Sequence, residues 1–308
     1  MGVWIDTDMG FDDLAAILLV RHGGLGIDGV SLTFGNTPIE RVRANAAASA
    51  AVFGFDFPLF SGRERPLLAP IETAAAILGE TGMPTAGHAL PATDPMPMTG
   101  ALDALCDWLA KGGGPKRILA LGPLGNIATL ALARPDLAAR IDELVWMGGG
   151  VTRGNHTASA EFNAFADPEA LAVVLAHGLP LTMVDLDFCR QILASPGDVE
   201  PIRQAGGRNA ALLADLTAGF IAIATARGRP AMSLYDACAA ALLLRPEFAR
   251  LERANIAVEL AGALTRGRTV VETRATHASF NASYAVGGDS DAIRAMILEA
   301  LREEAAKP

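Results

Sequence analysis

Residues Ile5-Asp6-Thr7-Asp8-Met9-Gly10-Phe11-Asp12-Asp13 put four carboxylates within eight positions, between two apolar runs. Gly2 to Ile5 leads in with strand character, and Leu14 to Val20 leads out with helix formers. The pattern predicts a strand, a tight turn at Gly10 and a helix starting near Asp12. In an open α/β sheet, ligands bind at the carboxyl ends of strands, where these acids would stand. Crowded carboxylates repel one another unless a cation or hydrogen-bond donors compensate. A hard divalent cation with oxygen ligands suits them, and calcium is the first candidate. Acids in a first helical turn also favour the helix dipole, which accounts for Asp12 and Asp13 but not for Asp6 and Asp8.

Further strands are expected at Val30 to Phe34, Pro58 to Ser61, Ile118 to Leu121, Glu143 to Met147 and Leu181 to Val184, alternating with helices. Late strands are expected at Val258 to Leu260, Arg268 to Glu272 and Ser283 to Val286, before a terminal helix from Ser290 to Glu304. Residues 62 to 98, rich in Pro and Gly, read as a long loop of the kind that covers a pocket. The alternation implies an α/β fold: an open, mostly parallel, doubly wound, Rossmann-like sheet with additional helices and late strands. No linker or repeat divides the 308 residues, so a single domain over 1–308 is expected.

The chain carries a net charge of −9 and no basic run, which argues against nucleic acid as a partner. Cys106, Cys189 and Cys238 are widely spaced and suggest neither disulfides nor zinc. With no signal-like start and no uncharged apolar stretch of about 20 residues, the expectation is a cytoplasmic protein that does not engage a membrane. Trp4, Trp108 and Trp146 read as core. His22, His177 and His277 read as structural or exposed, and His88 as a surface-loop residue. His156 adjoins Asn155 and is placed outside the pocket, with a pocket-lining position as the alternative.

Three more segments matter. Leu121-Gly122-Pro123-Leu124-Gly125-Asn126 is a strand end meeting a glycine turn and a helix. Met147-Gly148-Gly149-Gly150 is followed by Gly154-Asn155, Glu161-Phe162-Asn163 and Asp167-Pro168-Glu169-Ala170. Ser233-Leu234-Tyr235-Asp236-Ala237 stands at a helix start. Singly, these are turns and caps. Together with Asp-x-Asp-x-Gly-x-Asp-Asp they resemble the inosine-uridine-preferring nucleoside hydrolases, over motifs that span residues 6 to 236. Five departures from the family pattern stand out. Met9 replaces a Pro, Gly125 a Thr, Leu78 a base-side His and Tyr235 a His that often protonates the leaving base. A Trp that stacks on purines in some relatives is missing.

The resemblance implies the nucleoside hydrolase fold and calcium-dependent cleavage of a ribonucleoside to free base and ribose, a reaction of purine and pyrimidine salvage. It implies that Asp8, Asp13, the Leu121 carbonyl and Asp236 bind calcium, that Asp8 deprotonates the attacking water, and that Asp6 orients these ligands. Asp12, Asn163 and Asp236 would meet the ribose hydroxyls, Asn36 the sugar and water, Asn155 and Glu161 the 5′ side. Met147 would touch the sugar and Phe162 the base, with Arg227 or Arg229 at the border of the base pocket. Tyr235 would stand as proton donor, weak at neutral pH for a phenol with a pKa near 10. A homodimer or homotetramer is implied. Two rivals stay open: a ribose- or nucleoside-binding protein with weakened catalysis, and a phosphatase of the haloacid-dehalogenase class, which wants Thr or Val where Gly10 stands.

Overall fold

A computed structural model of the chain describes residues 2–93 and 97–308. The strands are β1 (Gly2–Thr7), β2 (Gly26–Leu32), β3 (Leu59–Ser61), β4 (Arg117–Ala120), β5 (Glu143–Met147), β6 (Leu181–Val184), β7 (Leu193–Ala194), β8 (Met232–Ser233), β9 (Ala249–Val258), β10 (Thr269–Glu272) and β11 (Ala282–Gly288). Among the described residues, nine of them form one sheet in the order β10-β9-β11-β6-β5-β4-β1-β2-β3, and β7 pairs with β8 apart from it. From β3 across to β11 every neighbour is parallel. The expected open, mostly parallel α/β sheet is therefore the observed one.

Layer packing explains why β1 opens on an apolar run, Gly2 to Ile5. It is central, with parallel neighbours on both sides, so helices cover both of its faces. Val3 and Ile5 enter one core, while Trp4 enters the other, stacking on Phe60 at 5.3 Å. The chain winds from β1 outward to β2 and β3, then crosses back to β4, β5 and β6. That reversal makes the carboxyl end of β1 a topological switch point, where a crevice opens. The helix Phe11–His22, apolar on nearly every side, packs against the helix Tyr235–Leu244. Asp12 and Asp13 lie in the first turn of one and Asp236 in the first turn of the other.

The late strands differ from expectation. A ten-residue strand occupies Ala249–Val258, ahead of the expected Val258 to Leu260, and runs antiparallel to both β10 and β11. Its sequence carries Arg250, Glu252 and Arg253, because an outlying strand keeps one face in solvent. That charge hid the strand from a search for apolar runs. The long loop contains a short helix, Ala75–Leu78; its residues 94–96 lie outside the described residues. Trp4, Trp108 and Trp146 are buried, as expected. Among the described residues, no helix is long and apolar enough to cross a membrane.

Candidate active site

β1 ends at Thr7, and the acids on either side of that end have different surroundings. Asp6 turns into the packed layer beside Trp4, where its Oδ1 accepts from Ser31 and from Asn126 Nδ2. Asp8, just past the last strand residue, leaves the pleat and lines the crevice. Met9 then reverses the chain with a φ of +34°. Such a conformation costs about 1–3 kcal/mol in a non-glycine residue. It is held by Met9 N–H donating to Thr7 Oγ1 at 3.0 Å and by Asn45 Nδ2 donating to the Met9 carbonyl at 3.1 Å. The family's usual proline, with φ fixed near −65°, could not take this conformation.

Two donor sets pin the forward-facing acids. Asp13 accepts from Thr7 Oγ1 at 2.5 Å and Gly10 N–H at 2.7 Å. Asp8 accepts from Asn36 N–H at 2.6 Å and Asn36 Nδ2 at 3.2 Å. The same Nδ2 lies 3.2 Å from Asp13 Oδ2, so Asn36 bridges the two carboxylates. Asp12, Asp13 and Asp236 each bring a carboxylate oxygen within 4.8 Å of the others. Asp12, expected to serve the sugar alone, thus also belongs to the acidic cluster.

Burial raises the pKa of every acid here, and their mutual repulsion adds to it for Asp8, Asp12 and Asp236: Asp12 to about 7, Asp8 and Asp236 well above the usual range, and Asp13 upward against its hydrogen bonds. Among the described residues, none of these four carboxylates makes a salt bridge with Lys, Arg or His. A desolvated set of oxygen donors without a cationic side chain fits a hard divalent cation.

Asp8, Asp12 and Asp236 line a cavity of about 460 Å³, a size suited to a small organic ligand. Every residue expected to bind substrate or catalyse lines it: Asn36, Met147, Asn155, Glu161, Phe162, Asn163 and Tyr235 join the three acids. Leu121 lines it too, whereas Asp13 is fully buried behind its neighbours. Asn163 Nδ2 donates to the Leu121 carbonyl at 2.9 Å and to the Met147 carbonyl at 3.0 Å. Those two bonds fix the amide orientation and leave Oδ1 without a hydrogen-bond donor among the described residues, available to a ligand. Glu161 caps the helix Phe162–Ala166; its oxygens accept from Asn163, Ala164 and Gly149 N–H. Burial pushes its carboxyl up to about 7 against those bonds. Asn155 lines the cavity, its Oδ1 accepts from Phe162 N–H at 3.0 Å, and its NH2 has no acceptor among the described residues.

His156, placed outside the pocket by the sequence, lines it. Its ring lies 5.4 Å from Phe162 and 4.6 Å from Phe165, and Nε2 meets Glu72 at 2.7 Å. Burying one face against aromatic rings while keeping a nitrogen for a loop carboxylate draws it inward. His88 stays out: its ring is 67% exposed and Nδ1 meets Asp215 at 2.6 Å. Leu78 lines the cavity, as do Arg153, Arg190, Arg227 and Arg229. Nothing in the sequence singles out Arg153 or Arg190, since their loops meet only in the folded chain.

Gly35 tests the geometry. A Cβ there would stand 2.0 Å from Asp8 Oδ2 and must push the carboxylate aside. Gly35→Ala is expected to lower turnover about 100-fold, the cost of a displacement near 1 Å. Unchanged far-UV circular dichroism with intact turnover would show that Asp8 can move freely.

A family profile described as inosine-uridine preferring nucleoside hydrolase matches residues 3–295. A non-specific ribonucleoside hydrolase, RihC, of Salmonella paratyphi B is 35% identical over 297 residues, covering 96% of this chain and 95% of its own. The solved purine-preferring ribonucleoside hydrolase from Gardnerella vaginalis superposes with a TM-score of 0.90 at 27% identity, covering 99% of each chain. An inosine-guanosine nucleoside hydrolase superposes with a TM-score of 0.87 at 25% identity, covering 100% of this chain and 99% of the other.

Proposed function

Because the chain belongs to the inosine-uridine preferring nucleoside hydrolase family, we propose a calcium-dependent mechanism for its reaction, in which Asp8 is the base. The reaction is hydrolysis of the N-glycosidic bond of a ribonucleoside, giving free base and ribose. The observation that carries the mechanism is the convergence of Asp12, Asp13 and Asp236, with Asp8 tied to Asp13 through Asn36, beside a cavity also lined by Asn155, Glu161 and Asn163. Asp8, Asp13, Asp236 and the Leu121 carbonyl would hold the calcium, with Asp12 close enough to share the task. A bound calcium would supply the positive charge that offsets the clustered carboxylates and makes a water acidic.

Asp8, fixed by both donors of Asn36, takes the proton of the attacking water. Asp12, Asp236 and the free Oδ1 of Asn163 accept from ribose hydroxyls, and the Asn155 NH2 and Glu161 hold the 5′ side. Met147 packs on the sugar and Phe162 on the base side. As the C–N bond lengthens, positive charge grows on the sugar ring, and the surrounding acids stabilise it. The whole described chain serves as one catalytic domain, and we place the enzyme in the cytoplasm as a homodimer or homotetramer.

Tyr235 is a poor acid in this setting. Burial pushes its phenol above the ordinary value, and the nearby Ser233 offsets only part of that rise. Tyr235→Phe is therefore expected to slow uridine only about 5-fold more than p-nitrophenyl riboside, whose leaving group needs no proton. Equal slowing of both would remove Tyr235 as donor. The reading as a whole is tested by a panel of ribonucleosides assayed for reducing sugar with and without calcium. Tight ribose binding without release of any base would instead favour a binding protein.

A further inference from the structure

The segment that follows β5 brings Asn155, Glu161 and Asn163 into the cavity wall without a strand of its own to hold them. Part of its support comes from the hairpin of β9 and β10, at the far edge of the sheet. Thr269, the first residue of β10, is 2% exposed and pairs with Val258 across the hairpin. Its hydroxyl accepts from Gly150 N–H at 2.9 Å and donates to the Gly150 carbonyl at 2.8 Å. One side chain thereby satisfies both backbone groups of a residue 119 positions away. Other buried threonine hydroxyls stay local: Thr7 donates to Asp13, and Thr217 to the Leu213 carbonyl in its own helix. Gly149, at a φ of +75°, sits in the same contact, where a Cβ would stand 2.7 Å from Met183 Sδ and 3.0 Å from Thr269. Gly149 N–H donates to Glu161 Oε2 at 2.8 Å, and Glu161 Oε1 accepts from Asn163 N–H at 2.8 Å. The hairpin also touches this segment where Arg268 donates to the Val151 carbonyl at 3.3 Å.

Resting on the hydrolase reading of the cavity, we propose that Thr269 is a positioning residue whose hydroxyl sets the Gly149–Gly150 backbone and, through it, the Glu161 carboxylate and the Asn163 amide. Glu161 is buried, and its oxygens accept from the backbone N–H groups of Gly149, Asn163 and Ala164. The direction of the carboxylate follows from where those donors stand. Asn163 and Ala164 belong to the helix that Glu161 itself caps, so they move with it. Gly149 N–H comes from another segment and ties the start of that helix to the end of β5. Gly149 and Gly150 carry no side chain that could anchor them, and an unpaired buried N–H or carbonyl is costly. The Thr269 hydroxyl supplies both partners of Gly150 and so holds this backbone in place. A wall placed in advance of binding keeps substrate in its reacting geometry.

Variants of the full chain test this. Thr269→Val keeps the shape and removes the hydroxyl, and is expected to lower kcat/KM for uridine about 30-fold, short of the roughly 100-fold cost of a 1 Å misplacement. Thr269→Ala removes the same hydroxyl without setting a methyl group against Gly150, and is expected to fall in the same direction if the Val variant does not fold. Thr269→Ser restores the hydroxyl and is expected to recover to within about 3-fold of the parent. A double-mutant cycle separates positioning from plain support of the fold. In a Glu161→Gln background, where one carboxylate oxygen is already lost, Thr269→Val is expected to cost only about 3-fold more. Calorimetry with free ribose and calcium gives a readout apart from turnover: binding is expected to weaken about 10-fold in the Val variant and to return in the Ser variant. Parental kcat/KM in the Val or Ala variant, no recovery in Ser, or the same fold-loss in both Glu161 backgrounds overturns the proposal. A parent that hydrolyses no nucleoside, while ribose binding still depends on the Thr269 hydroxyl, defeats the hydrolase reading and leaves the positioning role standing.

Discussion

Asp8→Asn is expected to cut turnover by about 1000-fold or more while leaving the fold intact. The amide keeps the volume and can still accept from Asn36 N–H, the bond of 2.6 Å that fixes the side chain. It cannot take a proton from water. The substitution also removes one negative charge from a group of acids whose pKa values burial and repulsion raise. The cation-free variant is therefore expected to melt about 2 °C or more above the cation-free parent, the pattern of a site that gives up stability for activity. Steady-state rates and thermal melts check both arms. Near-parental turnover would take the base role from Asp8, and a lowered melting temperature would mean that the carboxylate serves packing.

Removing calcium with a chelator is expected to abolish hydrolysis, and added calcium to restore it. The physical reason is the imbalance of the site: Asp8, Asp13 and Asp236 are buried beside the half-buried Asp12, and among the described residues none of the four makes a salt bridge, so the ionised set needs an external positive charge. Binding to the folded state alone also stabilises it, by about 4 kcal/mol when free calcium is 1000 times its dissociation constant. The chelated protein is accordingly expected to melt several degrees lower, with magnesium restoring less than calcium because it demands a tighter octahedral cage. Full activity in a chelator, with metal content verified as nil, would sink the calcium mechanism.

Much of this was legible in the chain. The apolar run before Asp6 predicted a buried strand, and the acids after it predicted a site at the strand's end; both follow from local pattern. The charged strand Ala249–Val258 was not legible, because its sequence reflects solvent on one face rather than burial. His156 was misplaced for a related reason: its neighbours in the fold, Phe162, Phe165 and Glu72, are set by loop packing. Met9 at +34° was equally hidden, since nothing in its side chain favours a left-handed turn.

The sequence alone determined the alternation of strands and helices, the acidic turn after β1, and the kinds of side chain able to grip a sugar. These are local properties, written in periodicity and residue type. Only the tertiary structure decided that the first turns of Phe11–His22 and Tyr235–Leu244 meet, so that Asp12, Asp13 and Asp236 share one point in space. It also decided that Asp8, Asp12 and Asp236 line the same cavity as Asn36, Asn155, Glu161 and Asn163. Charges distant along a chain acquire a common field only when packing brings them within a few ångströms, and packing is a property of the whole core.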